Sequence, residues 1–219
     1  MPAIRVLIVD DDPLVRSALS HFVSRDPEIE VIGEAITGLE AIDTVERERP
    51  DVVMMDVQMP EMNGIEATGV IAERWPDVRV LAVTTLDGSD TVLPMLNAGA
   101  SGYMLKDSSA DEIVTAVREV HNGASSLSPR IASMLIKHVR DSEPADSELA
   151  RDLEQLTERE REVLALLSQG MSNAEIARSL IVSEGTVKAH LGRIMSKWQV
   201  RDRVQILVAA ARAGLVDFR

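Results

Sequence analysis

Asp10, Asp56, Thr84 and Lys106 share a position: each stands at the carboxyl end of a short, almost continuous apolar run in this chain of 219 residues. Asp10 and Asp11 follow Val6–Val9, Asp56 follows Val52–Met55, Thr84 follows Val80–Val83, and Lys106 follows Tyr103–Leu105. Gathered at one edge of a sheet, these positions deliver three carboxylates, a hydroxyl and an ammonium. Crowded carboxylates repel one another unless a cation sits among them, and hard oxygen ligands suit Mg²⁺. One strand-end Asp on its own reads as well as a helix N-cap. The set of five reads as a site.

The elements that must position these groups are visible in the hydrophobic pattern. The four runs, with a fifth at Val31–Ala35, are strand-length and nearly continuous in apolar character, as parallel strands covered on both faces are. Helical spacing fills the intervals: Leu14, Ala18, Leu19, Phe22 and Val23 mark one helix, and Ile113, Val114, Val117 and Val120 another. Gly64, after Met59-Pro60 and Asn63, marks a turn beyond the Asp56 strand. Five strands alternating with five helices predict an α/β doubly wound parallel sheet over residues 1–123. Its functional crevice lies beyond the carboxyl ends of the strands.

Composition narrows the function classes. Hydrophobic residues make up 45% and charged residues 27%, a globular balance. No cysteine is present, so disulfides, thiolate metal sites and a Cys nucleophile are excluded. Aromatics at 2% are too few for a base-stacking platform on single-stranded nucleic acid. Val6–Val9 is stopped at once by Asp10-Asp11-Asp12, too short for a secretory signal, and no apolar run approaches a membrane span. A soluble, cytoplasmic protein without a membrane partner is expected. The net charge of −13 is unevenly spread. Residues 151–219 hold 11 Lys and Arg against 9 Asp and Glu, net +2, which leaves net −15 for residues 1–150. A chain of two domains accounts for that asymmetry.

The segments Ile8-Val9-Asp10-Asp11, Met55-Asp56-Val57-Gln58-Met59-Pro60, Val83-Thr84 and Leu105-Lys106 together resemble the receiver domain of bacterial two-component response regulators, a CheY-like, flavodoxin-like fold. The resemblance implies that Asp56 is the phosphoacceptor, phosphorylated by a sensor histidine kinase. It implies that Asp10 and Asp11 hold Mg²⁺ with Asp56 and the Gln58 backbone carbonyl. Thr84 and Lys106 match the groups that contact the phosphoryl oxygens, and Thr84 and Tyr103 the switch residues. The chemistry is coherent by itself, since a carboxylate can attack a phosphoryl group to give an acyl phosphate. Asp10-Asp11-Asp12 is also similar to the Asp-x-Asp of haloacid-dehalogenase-type phosphatases, with Asp10 as nucleophile and Asp12 as acid/base. That motif wants Thr or Val where Leu14 stands, and it leaves Asp56 without a role.

Past Gly123 the pattern changes. Residues 124–155 read as a linker: Ser128-Pro129 starts a short helix through Ile131, Leu135 and Val139, and Asp141–Glu148 is an acidic, Pro-containing tether. Then Thr157–Glu160 and Ser172–Glu175 spell capping boxes, Gly170 stops the first helix, and Ile181-Val182-Ser183 makes a tight turn into a third. On that third helix Val187, Leu191, Ile194 and Trp198 share one face, and Lys188, Ala189, Gly192, Arg193 and Ser196 the other. This is helix-turn-helix spacing.

Leu156-Thr157-Glu158-Arg159-Glu160, Asn173-Ala174-Glu175-Ile176-Ala177 and Val182–Lys188 resemble the DNA-binding domain of the NarL/FixJ (LuxR-type) regulators, covering residues 156–219. The resemblance implies base-edge contacts from Lys188, Ala189 and Gly192 and phosphate contacts from Thr186, His190, Arg193 and Lys197. Two positions depart from the family pattern: Gly192 offers no side chain, and Trp198-Gln199 replaces the usual Leu-Gly or Leu-Asn helix ending. The expected function is a transcriptional response regulator, not an enzyme, that dimerises on phosphorylation and binds double-stranded promoter DNA. The other reading of residues 186–203 is a basic protein-binding face.

Overall fold

A computed structural model of the protein describes residues 3–85, 89–123, 126–127 and 156–212. The expected linker helix and acidic tether lie outside these residues. The chain divides into two compact units, Met1–Ile131 and Ala132–Arg219.

The first unit alternates strand and helix: β1 (Ile4–Val9), α1 (Pro13–Val23), β2 (Ile29–Ala35), α2 (Gly38–Glu48), β3 (Val52–Met55), α3 (Gly64–Arg74), β4 (Arg79–Thr84), α4 (Ser89–Asn97), β5 (Gly102–Leu105) and α5 (Ala110–His121). All strand pairs are parallel, in the order β2-β1-β3-β4-β5, and a two-residue β6 (Ser126–Leu127) pairs with β5. This last strand extends the sheet past the expected end near Gly123. Two residues are too few to show a period in sequence. Side-chain alternation splits each strand between two cores. Val6, Ile8, Val52, Met54, Leu81, Val83 and Met104 pack with Leu19 and Val23 of α1 and Ile113, Ala116, Val117 and Val120 of α5. Leu7, Val53, Met55, Val80, Ala82 and Tyr103, of opposite parity, are buried as well. Burial of both faces is why the central strands β1, β3 and β4 read as apolar runs, whereas β2, at the sheet edge, carries exposed Glu30 and Glu34.

Register then decides which polar groups meet. Val9 pairs with Met55, so Asp10 and Asp56 leave the sheet side by side, and the Asp56 N–H donates to the Val9 carbonyl at 2.9 Å. Thr84 pairs with Leu105, and the Lys106 N–H donates to the Thr84 carbonyl at 2.8 Å. The chain order reverses between β1 and β3, which makes that crevice the ligand position of a doubly wound sheet.

The second unit contains α6 (Glu158–Ser168), α7 (Asn173–Leu180), α8 (Glu184–Trp198) and α9 (Arg203–Arg212). Both expected capping boxes form, Thr157 with Glu160 and Ser172 with Glu175, and Ser183 caps α8 through the Thr186 N–H. Such caps contribute about 1 kcal/mol each. The core joins Leu156, Val163, Leu164 and Leu167 to Ile176 and Ala177, and to Val187, Leu191 and Ile194 of α8. Two left-handed residues close helices, Ile181 after α7 (φ 55°) and Gln199 after α8 (φ 53°). The unusual Trp198-Gln199 ending thus still forms a left-handed C-cap. Among the described residues no helix is long and apolar enough to cross a membrane.

Candidate functional site

The β1–β3 crevice holds the charged cluster. Asp10 is fully buried, Asp56 is 5% exposed, and Asp11 is exposed at the rim. The Lys106 ammonium stands 2.6 Å from Asp10 Oδ2 and 2.8 Å from Asp56 Oδ2, bridging the two. Asp56 Oδ1 accepts from the Val57 N–H at 2.7 Å. Burial pushes the Asp56 carboxyl above the usual range, and the charge of Asp10 adds to the rise, while Lys106 and the Val57 N–H oppose it. For Lys106 burial works against the charged form, but its close pairing with the carboxylates of Asp10 and Asp56 outweighs it and its pKa rises. Carboxylate oxygens of Asp10, Asp11 and Asp56 lie within 4.8 Å of one another. Asp10 Oδ2, though within ion-pair reach of Lys106, is buried without a well-directed hydrogen bond. An all-oxygen donor set with such an atom fits a hard divalent cation. Asp12 stands apart: it is the N-cap of α1, accepting from the Leu14 N–H at 2.8 Å.

The loop after Asp56 is held by close backbone packing. A methyl group on Gly64 would lie 1.8 Å from the Asp56 carbonyl oxygen, and one on Gly38 would lie 2.7 Å from that of Met62. The Gly64 N–H donates to Val57 O and the Gly38 N–H to Met62 O, each at 3.0 Å. Between them Glu61 adopts φ 64°, closing a tight turn with the Met62 N–H on Pro60 O at 2.8 Å. Asn63 and Glu66 form a capping box that starts α3. The turn reading of Gly64 anticipated none of this packing; the residue lies directly against the end of the Asp56 strand. Gln58 is exposed in this loop, Thr84 is buried at the end of β4, and Tyr103 is buried with its hydroxyl 3.3 Å from Thr91 Oγ1 of α4.

In the second unit, Ile181–Ser183 turns the chain between α7 and α8 as the helix-turn-helix spacing requires. Long cationic side chains brace both ends of α7. Arg159 Nη2 donates to the Leu180 carbonyl at 2.8 Å, and Arg203 donates to Asn173 Oδ1 at 3.1 Å and to the Met171 carbonyl. On the outer face of α8, Lys188, Ala189, Arg193 and Ser196 are exposed, and Thr186, His190 and Gly192 are half-buried. Gly192 has open space where a side chain would be. His190 Nδ1 lies 3.5 Å from Arg193 Nη1. Lys197 points elsewhere: its ammonium is 2.6 Å from Oε2 of Glu160, which is 2% exposed.

Comparison with known proteins accords with this architecture. The response regulator receiver domain family matches residues 6–118, and the bacterial regulatory proteins of the luxR family match residues 154–210. The transcriptional regulatory protein LnrK of Bacillus subtilis (strain 168) is 42% identical over 219 residues, spanning 98% of this chain and 100% of that protein. The transcriptional regulatory protein LiaR of the same organism is 40% identical over 214 residues, spanning 98% and 100%. The crystal structure of a LuxR-family two-component response regulator from Aurantimonas sp. aligns with a TM-score of 0.60 at 35% identity, covering 64% of this chain and 99% of that one. An aspartate crevice on a receiver sheet, joined to a LuxR-type helix-turn-helix, places the chain among the two-component response regulators of the NarL/FixJ family, which are transcription factors and not enzymes.

Proposed function

We propose that Asp56 is the phosphoacceptor of this response regulator and that a sensor histidine kinase supplies the phosphoryl group. The observation that carries this reading is the Lys106 ammonium bridging Asp10 and Asp56 at the sheet's switch point. In the transfer, the P–N bond of a phosphohistidine breaks as a P–O bond to an Asp56 carboxylate oxygen forms. Lys106 meets the charge on the phosphoryl oxygens, and the Thr84 hydroxyl donates to one of them. Asp10, Asp11, Asp56 and the Gln58 carbonyl would hold Mg²⁺, which neutralises charge on the transferred group. The new phosphate adds about −1.5 to −2 charge and three acceptor oxygens. Thr84 is drawn toward them, and Tyr103 answers with a change of rotamer. The receiver then favours a dimer, setting two helix-turn-helix units on half-sites about one DNA turn apart. Lys188, Ala189 and Gly192 meet base edges of promoter DNA, and Thr186, His190 and Arg193 its phosphates. Kinase and promoter together put the protein in the cytoplasm.

The test is to incubate the protein with Mg²⁺ and a small phosphodonor, trap the acyl phosphate with hydride, and map the label. Label on Asp56 alone supports the reading; label on Asp10 overturns it. Sedimentation with and without the phosphodonor, with Asp56→Ala as control, tests the dimer step. That step fails if DNA binding rises while the mass stays monomeric.

A further inference from the structure

Lys197 belongs to the basic cluster of α8 by sequence, but its surroundings are unlike those of the other cations there. Lys188 and Arg193 are exposed, whereas the Lys197 side chain is 29% exposed and directed at Glu160. The two lysines lie nine residues apart, about 180° around a helix that turns 100° per residue. Lys197 therefore stands at the edge of α8 that faces α6, not on the side that carries Lys188. Its partner is a buried carboxylate with two tasks. Glu160 Oε2 accepts from the Thr157 N–H at 2.9 Å, closing the capping box of α6, and also takes the Lys197 ammonium at 2.6 Å. Glu160 is thus tied at once to the start of α6 and to the last turn of α8. Removing one member of such a pair leaves the other charge without its partner.

We infer that Lys197 is a positioning residue for DNA binding and not a phosphate contact: through Glu160 it sets the seat of the recognition helix α8 on α6. The inference rests on the proposed DNA-binding role of α8, and it revises the expectation that Lys197 meets phosphate. It makes Glu160, which never approaches DNA, as important to affinity as Lys197 itself.

The salt dependence of binding separates the two roles. Each lost phosphate contact lowers the slope of log affinity against log salt by about 0.9. The full chain, phosphorylated with a small phosphodonor, is titrated against a duplex that the wild-type protein selects from a random library. Lys197→Met keeps the aliphatic stem and Glu160→Gln keeps the cap acceptor. We expect each variant to weaken binding several-fold at every salt concentration with the wild-type slope retained. The double variant is expected to cost no more than the worse single one, and Lys197→Arg to restore binding. Measurements are made well below the thermal midpoint of each variant, so that lost affinity reports the seat of α8 and not unfolding. A slope flattened by about one unit in Lys197→Met, or unchanged or tighter binding in Glu160→Gln, overturns the inference. A wild-type chain that selects no duplex instead overturns the DNA-binding reading beneath it.

Discussion

The acidic crevice of the receiver and the outer face of α8 use charge in opposite ways. In the crevice, parallel strands bring Asp10, Asp56 and Lys106 to one buried point, where burial strengthens every interaction and Lys106 holds two carboxylates at once. On α8, Lys188 and Arg193 stay exposed and separate along a surface, each solvated until a partner arrives. A convergent site depends on backbone positions, so even a displaced carbonyl disturbs it. A surface strung along one helix depends on how that helix is seated, the role inferred above for the pair of Lys197 with buried Glu160. Chemistry calls for the first arrangement, and contact with a long polyanion for the second.

Removing Asp11, the exposed member of the proposed Mg²⁺ ligands, probes the convergent side hardest. Asp11→Ala is expected to lower Mg²⁺-dependent acyl-phosphate formation about 100-fold or more, because cation stabilisation of a transferring phosphoryl group is worth several kcal/mol. The apo domain should lose no stability, since one member of a repelling cluster departs. Phosphorylation rate against Mg²⁺ concentration, with thermal unfolding alongside, checks both parts. An undiminished Mg²⁺ response would remove Asp11 from the site. Gly64→Ala strikes the backbone instead. With 1.8 Å between the new methyl and the Asp56 carbonyl oxygen, either α3 or the end of β3 must shift. The expected cost is about 3 kcal/mol, with slowed phosphorylation even where the variant folds. Denaturant unfolding measures it, and a cost under about 1 kcal/mol would show that the loop yields freely.

Much of this was legible in sequence, for reasons that differ between the two regions. The strands appear as apolar runs because both sheet faces are covered, and the residue after each run marks the functional edge. Asp10, Asp56, Thr84 and Lys106 were readable in that way. The capping boxes at Thr157 and Ser172 were legible because a cap is a local contact between residues three positions apart. What sequence hides is what lies across space. That Gly64 abuts the Asp56 carbonyl depends on how α3 enters against β3, and in sequence Asn63-Gly64 reads as an ordinary turn. The pair of Glu160 with Lys197 spans 37 positions, and helical spacing tells which side of α8 Lys197 occupies but not what waits there. The left-handed Glu61 carries no Gly or Asn to announce it.

On the distributed side, expected effects are smaller and divide by type of contact. Lys188→Ala should relax base preference by about 2 kcal/mol at the position it reads, while Arg193→Ala weakens all sequences alike and flattens the salt slope by about one unit. Selection from a random duplex library, run with each variant, tests the division. A Lys188 variant that selects the wild-type sequence set would show that α8 reads bases by other means.

The smallest expected effect is also the sharpest contrast with the crevice, because it is the same substitution made at the other glycine. Gly192 lies within α8 with no atom near enough to meet an added methyl group. Replacing glycine by alanine in a helix interior restricts the unfolded chain and favours the helix, a gain of roughly 0.5–1 kcal/mol where nothing obstructs it. Gly192→Ala is therefore expected to stabilise the second unit, raising its thermal midpoint by a few degrees, where Gly64→Ala weakens the first. Function should move the other way. Gly192 lies four residues beyond Lys188 and three beyond Ala189, which places it between them on the open face, about 40° of helical turn from the first and 60° from the second. In the proposed docking its bare backbone would let the helix approach the base edges closely, so an added methyl group is expected to hold the helix off and lower affinity several-fold. Segment-resolved hydrogen exchange reads the stability, and duplex titration the affinity. If the midpoint rises and affinity is unchanged, Gly192 does not face DNA, and the docking of α8 must be rotated away from it toward Arg193.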